Sequence, residues 1–245
     1  MILSGVTLDR FLGGRVTAAQ PVKGFRAGHD TVLLASAVPA EAGSEVLELG
    51  AGTGVASLCL AARVPGVRVT GIEIDPDLVQ LANENAARNA MADRVRFEQA
   101  DVAGFAERGR QFDHVFFNPP FHPDTGQVSP SSARDRATRD ISQAVEEWTR
   151  AALAMTRQDG TVTAIIRADR EEDMRGAARA YGGVVFPLFP RLGQQPKRVI
   201  VRIVKSPGAG FAPAAGLVLH EADRRSTDAA EAVLRHGAAL DVAIA

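Results

Sequence analysis

Glu48-Leu49-Gly50-Ala51-Gly52-Thr53-Gly54 joins an apolar run, Val46 to Leu49, to an Ala/Leu-rich stretch ending at Arg63. The first reads as a buried strand and the second as a helix, so the glycines form a strand-to-helix turn. Lacking a Cβ, they let the backbone turn tightly and come close to a ligand. From this point strand and helix signals alternate. Val67 to Ile74, Arg94 to Glu98, Phe112 to Phe117, Thr161 to Arg167, Arg198 to Lys205 and Leu217 to Leu219 read as further strands. Helices are expected from Pro76 to Asn89, with Asp75 as cap, from Ile141 to Met155, from Arg170 to Tyr181, and from about Thr227. Repeated β-α-β units imply an α/β fold whose mostly parallel sheet is covered by helices on both faces. Such sheets bind ligands beyond the carboxyl ends of their strands.

Residues 45–245 form the expected domain, and residues 1–44 an extension packed on the same core. His29 to Val38 is a helix within that extension. Residues 122–140, rich in Pro, Ser, Asp and Arg, read as a long loop, a feature that inside compact domains usually serves function. No apolar stretch is long enough to span a bilayer, and the N-terminus lacks the pattern of a secretory signal. One cysteine, Cys59, fits a reducing cytoplasm and a packing role. The five histidines are scattered without ligand spacing, so no metal is expected. Net charge is −1, but its distribution is uneven. Residues 45–120 hold seven Arg against eleven acids, whereas residues 184–206 hold five basic residues and no acid. A polyanion docking at one end and chance clustering are both compatible with that asymmetry.

The glycine spacing is G-x-G-x-G, unlike the G-x-G-x-x-G of dinucleotide folds, and no Lys-Ser/Thr pair follows to cradle phosphate. Glu73 ends the second strand, where a carboxylate can accept both hydroxyls of a ribose. Asp101, after the third strand, is placed either to accept from an adenine amino group or simply to cap a loop. Glu48 either touches a cofactor amino group or just ends its strand. Two acceptors without a phosphate cradle suit S-adenosylmethionine, which carries a sulfonium and no phosphate.

Asn118-Pro119-Pro120-Phe121 follows Gly54 by 64 residues and closes the strand Phe112 to Phe117. An amino group on an aromatic ring is a poor nucleophile because its lone pair is delocalised. The Asn118 side-chain carbonyl and the Pro119 backbone carbonyl can each accept one amino hydrogen and aim that lone pair. The two prolines stiffen the turn, and Phe121 offers a face for stacking a planar substrate. His122 reads as an ordinary loop residue beside this pocket.

Val46 to Ala56, Gly71 to Pro76, Ala100-Asp101 and Asn118 to Phe121 together resemble the successive motifs of class I methyltransferases of the N6-adenine type. Gln20 to Asp30, Ala133 to Asp140, Arg191 to Lys205 and Leu219 to Glu221 extend the likeness. They resemble bacterial tRNA adenine-N6 methyltransferases, which act beside the anticodon of a valine tRNA. The resemblance implies a Rossmann-like fold with a seven-stranded sheet, S-adenosylmethionine as cofactor and tRNA as partner. It also implies that Arg26 and Asp30 lie near the cofactor. Under that reading Lys23, Arg134, Arg191, Lys197 and Arg198 are candidates for phosphate contacts. The chain departs from the pattern at Phe121, where many relatives have Tyr, and at Arg225-Ser226-Thr227, where a Tyr-Thr pair is expected. Other acceptors for the same chemistry are a protein glutamine, a ribosomal guanine or a small molecule. A noncatalytic binding module is the remaining alternative, and the intact Gly50, Glu73, Asp101 and Asn118 argue against it.

Overall fold

The structure, a computed structural model, describes residues 5–24, 26–119, 144–208 and 210–242. Strands β1 (Val6–Phe11) and β2 (Val16–Pro21) form an antiparallel hairpin, followed by helix α1 (His29–Ala37). The alternating core then runs β3 (Glu45–Leu49), α2 (Val55–Arg63), β4 (Arg68–Glu73), α3 (Pro76–Arg88), β5 (Val95–Gln99), α4 (Val102–Ala106) and β6 (Phe112–Phe117). Helical residues 144–155 (α5) lead directly into β7 (Thr156–Arg167). After α6 (Glu171–Ala177) come β8 (Tyr181–Arg191), β9 (Arg198–Pro207), β10 (Phe211–Pro213), β11 (Leu217–His220) and α7 (Asp228–Leu234).

The main sheet has the order β10-β8-β9-β7-β6-β3-β4-β5, with β11 also paired to β8. β5, β4, β3, β6 and β7 are mutually parallel. β9 alone runs against both of its neighbours, β7 and β8. Alternate side chains feed two cores, as the period of two requires. Val46, Val69, Phe97, Phe116, Ile165 and Ile200 pack on one face with α1 and α2. Leu47, Leu49, Phe117, Val162, Ala164 and Val201 pack on the other, beneath α5 and α6. Leu12, Val16 and Ala18 of the N-terminal hairpin are buried in the first of these cores.

Local chemistry starts the helices where it should. Asp75 accepts from the amides of Asp77 (2.9 Å) and Leu78, with Pro76 at the first position of α3. Thr227 caps α7 through the amide of Ala230 at 3.1 Å. Asn85, fully buried on α3, ties three segments together. Its Oδ1 accepts from the Ala19 amide (2.8 Å), and its Nδ2 donates to the carbonyls of Ala19 and Thr53, both at 3.0 Å.

The sheet has nine strands, two more than the seven expected. β8 and β10 are the additions, and the helix expected to reach Tyr181 stops at Ala177. Pro187 and Pro190 disguise β8, because proline cannot donate to a ladder. The strand tolerates Pro187 opposite the break between β10, which reaches Val185, and β11, which starts at Leu188. Among the described residues no helix is long and apolar enough to cross a membrane.

Candidate active site

The turn leaving β3 holds Gly50, Gly52 and Gly54 at φ of 63°, 54° and 80°, the left-handed region that other residues rarely adopt. Their surroundings differ. A Cβ on Gly50 would stand 2.6 Å from the Trp148 ring, and one on Gly54 would stand 2.5 Å from the Phe97 ring. A Cβ on Gly52 would meet no atom of the described residues within 4 Å. Gly50 and Gly54 are therefore required by packing, while Gly52 is the point where the turn lies open to a ligand.

Glu73 holds this turn from the end of β4. Its carboxylate accepts from the amides of Gly52 (2.9 Å), Ile74 (2.8 Å) and Asp75 (3.1 Å). A carboxylate has about four acceptor sites, so a ribose hydroxyl would share its oxygens with the turn. Asp101 does what one of its two expected roles demands: its Oδ1 caps α4 through the Gly104 amide at 2.8 Å. It also lines a cleft of about 350 Å³ with Ile74, Gln99, Ala100, Gly104 and Arg108. Ile74 is 68% exposed there, an apolar surface beside Asp101 on which a flat ring can rest.

Glu48 points inward. Only 5% exposed, it accepts from the Ser57 amide at 3.0 Å and from the Ser57 hydroxyl. Burial pushes its carboxyl up to about 8, against the hydrogen bonds from Ser57 and with some help from Glu73. Cys59, on the same helix, is buried, and burial likewise pushes its thiol upward.

β6 delivers Asn118 and Pro119 to the same edge. Leu49 pairs with Phe117, so Gly50 and Asn118 are the next residues beyond adjacent strand ends. Neighbouring strands lie about 4.8 Å apart, which sets the donor turn and the acceptor motif side by side. Trp148 of α5 binds the two together. Its ring meets Phe117 edge-on at 5.8 Å and lies against Gly50. The Asn118 Oδ1 is buried and, among the described residues, has no hydrogen-bond partner. Buried oxygens in folded proteins are nearly always satisfied, and an orphan beside the glycine turn leaves an acceptor for a ligand's donor. Pro120, Phe121 and Arg134 lie outside the described residues.

Arg26 is drawn into the N-terminal hairpin, where it donates to the Pro21 carbonyl (2.7 Å) and the Thr7 hydroxyl (2.8 Å) and pairs with Asp9. Asp30, in the first turn of α1, pairs instead with Arg198 at 3.1 Å. Lys23 is exposed in the turn after β2, and Lys197 is exposed beside half-buried Arg191 and Arg198 in and around the β8–β9 turn. Sequence reasoning missed Trp148, Ile74 and Asn85. The first two carried a signal: Trp148 is the chain's sole tryptophan, and Ile74 is an apolar residue just past the strand-ending Glu73. Among the described residues no group of three His, Cys, Asp or Glu stands together to hold a metal.

The methyltransferase small domain family matches residues 26–159, more than half of the chain. The chain belongs to that family. Within it, the chain is similar to the tRNA1(Val) (adenine(37)-N6)-methyltransferase of Yersinia enterocolitica, 33% identical over 152 residues. That match spans 61% of this chain and 60% of the relative. The Haemophilus influenzae protein of the same name is 24% identical over 229 residues, 93% of this chain and 95% of that one. A predicted O-methyltransferase from Agrobacterium tumefaciens superposes with a TM-score of 0.72 at 25% identity, covering 86% of this chain and 98% of the other. A Thermus thermophilus 16S rRNA N2 G1207 methyltransferase, solved with AdoMet and guanosine, shares the fold at a TM-score of 0.57 and 21% identity. It is covered over 50% of its length and covers 82% of this chain. This small-domain methyltransferase is thus a Rossmann-like enzyme dependent on S-adenosylmethionine. The open side of Gly52, the exposed Ile74 and the cleft at Asp101 fit that cofactor.

Proposed function

We propose that this enzyme methylates N6 of an adenine in tRNA, adenine 37 of a valine tRNA. The observation that carries the reading is the buried Asn118 Oδ1, without a hydrogen-bond partner among the described residues and one strand from the glycine turn. The names of the Yersinia and Haemophilus relatives support the choice of acceptor. S-adenosylmethionine, when bound, supplies an electrophilic methyl carried on a sulfonium. Gly52, Glu73, Ile74 and Asp101 would hold it, with Glu48 buried behind the turn. Asn118 Oδ1 accepts one hydrogen of the adenine amino group, and the Pro119 carbonyl accepts the other. Held by both, the nitrogen presents its lone pair toward the methyl and afterwards loses a proton to solvent. Preorganised acceptors of this kind spare the reaction the entropy of orienting a free amine. The base must leave its stack to reach Asn118, which costs less in an anticodon loop than in a helix.

Labelled methyl transfer to tRNA lacking N6-methyladenosine, followed by nucleoside mass spectrometry, tests the proposal. Wild type should yield N6-methyladenosine. Asn118→Ala should lose at least about 10²-fold in turnover with cofactor affinity unchanged. Label appearing in another nucleoside, or none despite intact cofactor binding, would overturn the choice of acceptor.

A further inference from the structure

Leu192 stands at the tip of the turn between β8 and β9 and is 88% exposed, more than any other large apolar side chain described. Turn tips ordinarily carry Gly, Asn, Asp or Ser, and a solitary surface leucine by itself means little. The surroundings of this one give it meaning. Arg191 precedes it, Lys197 and Arg198 follow, and residues 184–206 contain no acid.

The turn is also built to stand still. Gly193 adopts φ of +77° and the Gln194 amide returns to the Arg191 carbonyl at 3.1 Å, closing a tight bend. The β8 stem is buttressed by β11, with Val218 paired to Phe189 and His220 to Arg191. The β9 stem is pinned twice: the Lys197 carbonyl accepts from the Ala168 amide at 3.2 Å, and Arg198 pairs with Asp30. An apolar side chain held in water on a fixed turn gains free energy when a partner covers it.

Location supplies the use. Because β9 runs antiparallel to β7, this turn projects from the same sheet edge that carries Gly50 and Asn118. Across the order β8-β9-β7-β6 its stem lies two to three strand spacings from Asn118, roughly 10–15 Å sideways, and Leu192, six residues past Phe186 on the level of Asn118, overhangs the edge by roughly 20 Å. On the same turn, Gln195 and Pro196 wall a cavity of about 550 Å³ that Val199 and Phe211 help to line. The edge therefore offers Arg191 and Lys197 to phosphates, with Arg198 engaged by Asp30, beside an apolar point and an adjoining recess.

We infer that Leu192 is a wedge that enters the base stack of the RNA loop and holds it open while the target adenine occupies the Asn118 site. The inference rests on the RNA reading above and adds the device that opens the stack. Nucleic-acid-binding proteins use apolar side chains in this way, separating bases while neighbouring cations hold the backbone. The phosphate charge favours RNA over an apolar protein partner at so basic a turn.

The test compares two RNA probes: an anticodon stem-loop bearing the target adenine, and a short unstructured oligonucleotide with the same adenine and no stack to open. Leu192→Ala removes the point without touching any packed group. Its kcat/KM on the stem-loop should fall about tenfold, part of the free energy of unstacking one base step, while on the oligonucleotide it stays within about twofold of wild type. Leu192→Met should restore the loss. With 2-aminopurine at the target position of the stem-loop, the fluorescence rise on binding should be smaller for Leu192→Ala than for wild type. Equal activity of wild type and Leu192→Ala on the stem-loop overturns the wedge, and so does an equal loss on both probes. If wild type methylates neither probe while binding its cofactor, the tRNA reading itself falls, an outcome distinct from the other two.

Discussion

Replacing Glu48 with Gln should make the enzyme more stable, and only above mildly acidic pH. The carboxyl ordinarily titrates near 4.5, and in the folded chain burial raises it to about 8. A raised carboxyl binds its proton more tightly when folded, so the unfolded chain releases that proton first. The contribution of Glu48 to stability is therefore fully present below pH 4.5, falls as pH rises, and is lost past about 8. Each pH unit in that window costs about 1.4 kcal/mol, on the order of 5 kcal/mol in all as an upper figure. Glu48→Gln keeps an oxygen to accept from the Ser57 amide and hydroxyl while removing the titration. Urea unfolding followed by the fluorescence of Trp148, the sole tryptophan, at pH 5, 6.5 and 8.5 reads the difference directly. The two proteins should agree within about 1 kcal/mol at pH 5, and the variant should lead by several kcal/mol at pH 8.5. Parallel pH curves would refute the reasoning, because they would mean that Glu48 ionises in the folded state without penalty.

Asn85→Ala should destabilise by about 3 kcal/mol, since it strands the Ala19 amide and the Ala19 and Thr53 carbonyls together. Hydrogen exchange at the Ala19 amide should accelerate with it, and an unchanged rate would count against the bridging role. Gly50→Ala and Gly52→Ala should separate packing from ligand approach. The first drives a methyl into Trp148 and should cost about 1–3 kcal/mol beyond its φ penalty. The second meets no atom of the described residues, so its stability loss stays near the ~1–2 kcal/mol of a left-handed residue. Calorimetry should nonetheless show a clear loss of S-adenosylmethionine affinity for Gly52→Ala; wild-type affinity would remove Gly52 from the cofactor site.

The central strands were legible because β3 and β6 are rich in large apolar residues and end in chemically distinctive turns. Asp75 and Thr227 announced their helices through capping chemistry that acts within a few residues. Where long-range contacts decide the outcome, the residues were silent. β8 carries two prolines and gains its identity only from β9, β10 and β11, partners distant in the chain. Glu48 is turned toward Ser57 by a helix that follows nine residues later, and its proton affinity is a property of the core around it. Trp148 acquires its place over Gly50 only when α5 crosses the sheet. Glycine spacing therefore pointed to the turn without distinguishing the glycine with an open side from the two that face aromatic rings.

The reversed direction of β9 has an evolutionary consequence. A parallel strand can be reached only through a long crossover, so remodelling one disturbs a whole layer of the domain. A hairpin ending at the working edge can be lengthened, shortened or re-tipped with little effect on the rest, because doubling a flexible loop adds only about 0.6 kcal/mol of closure entropy. The half of the sheet from β5 to β6 can stay constant as the methyl-donor chassis. Between β8 and β9, a handful of residues becomes an interchangeable head through which descendants of one ancestor could address different polymers.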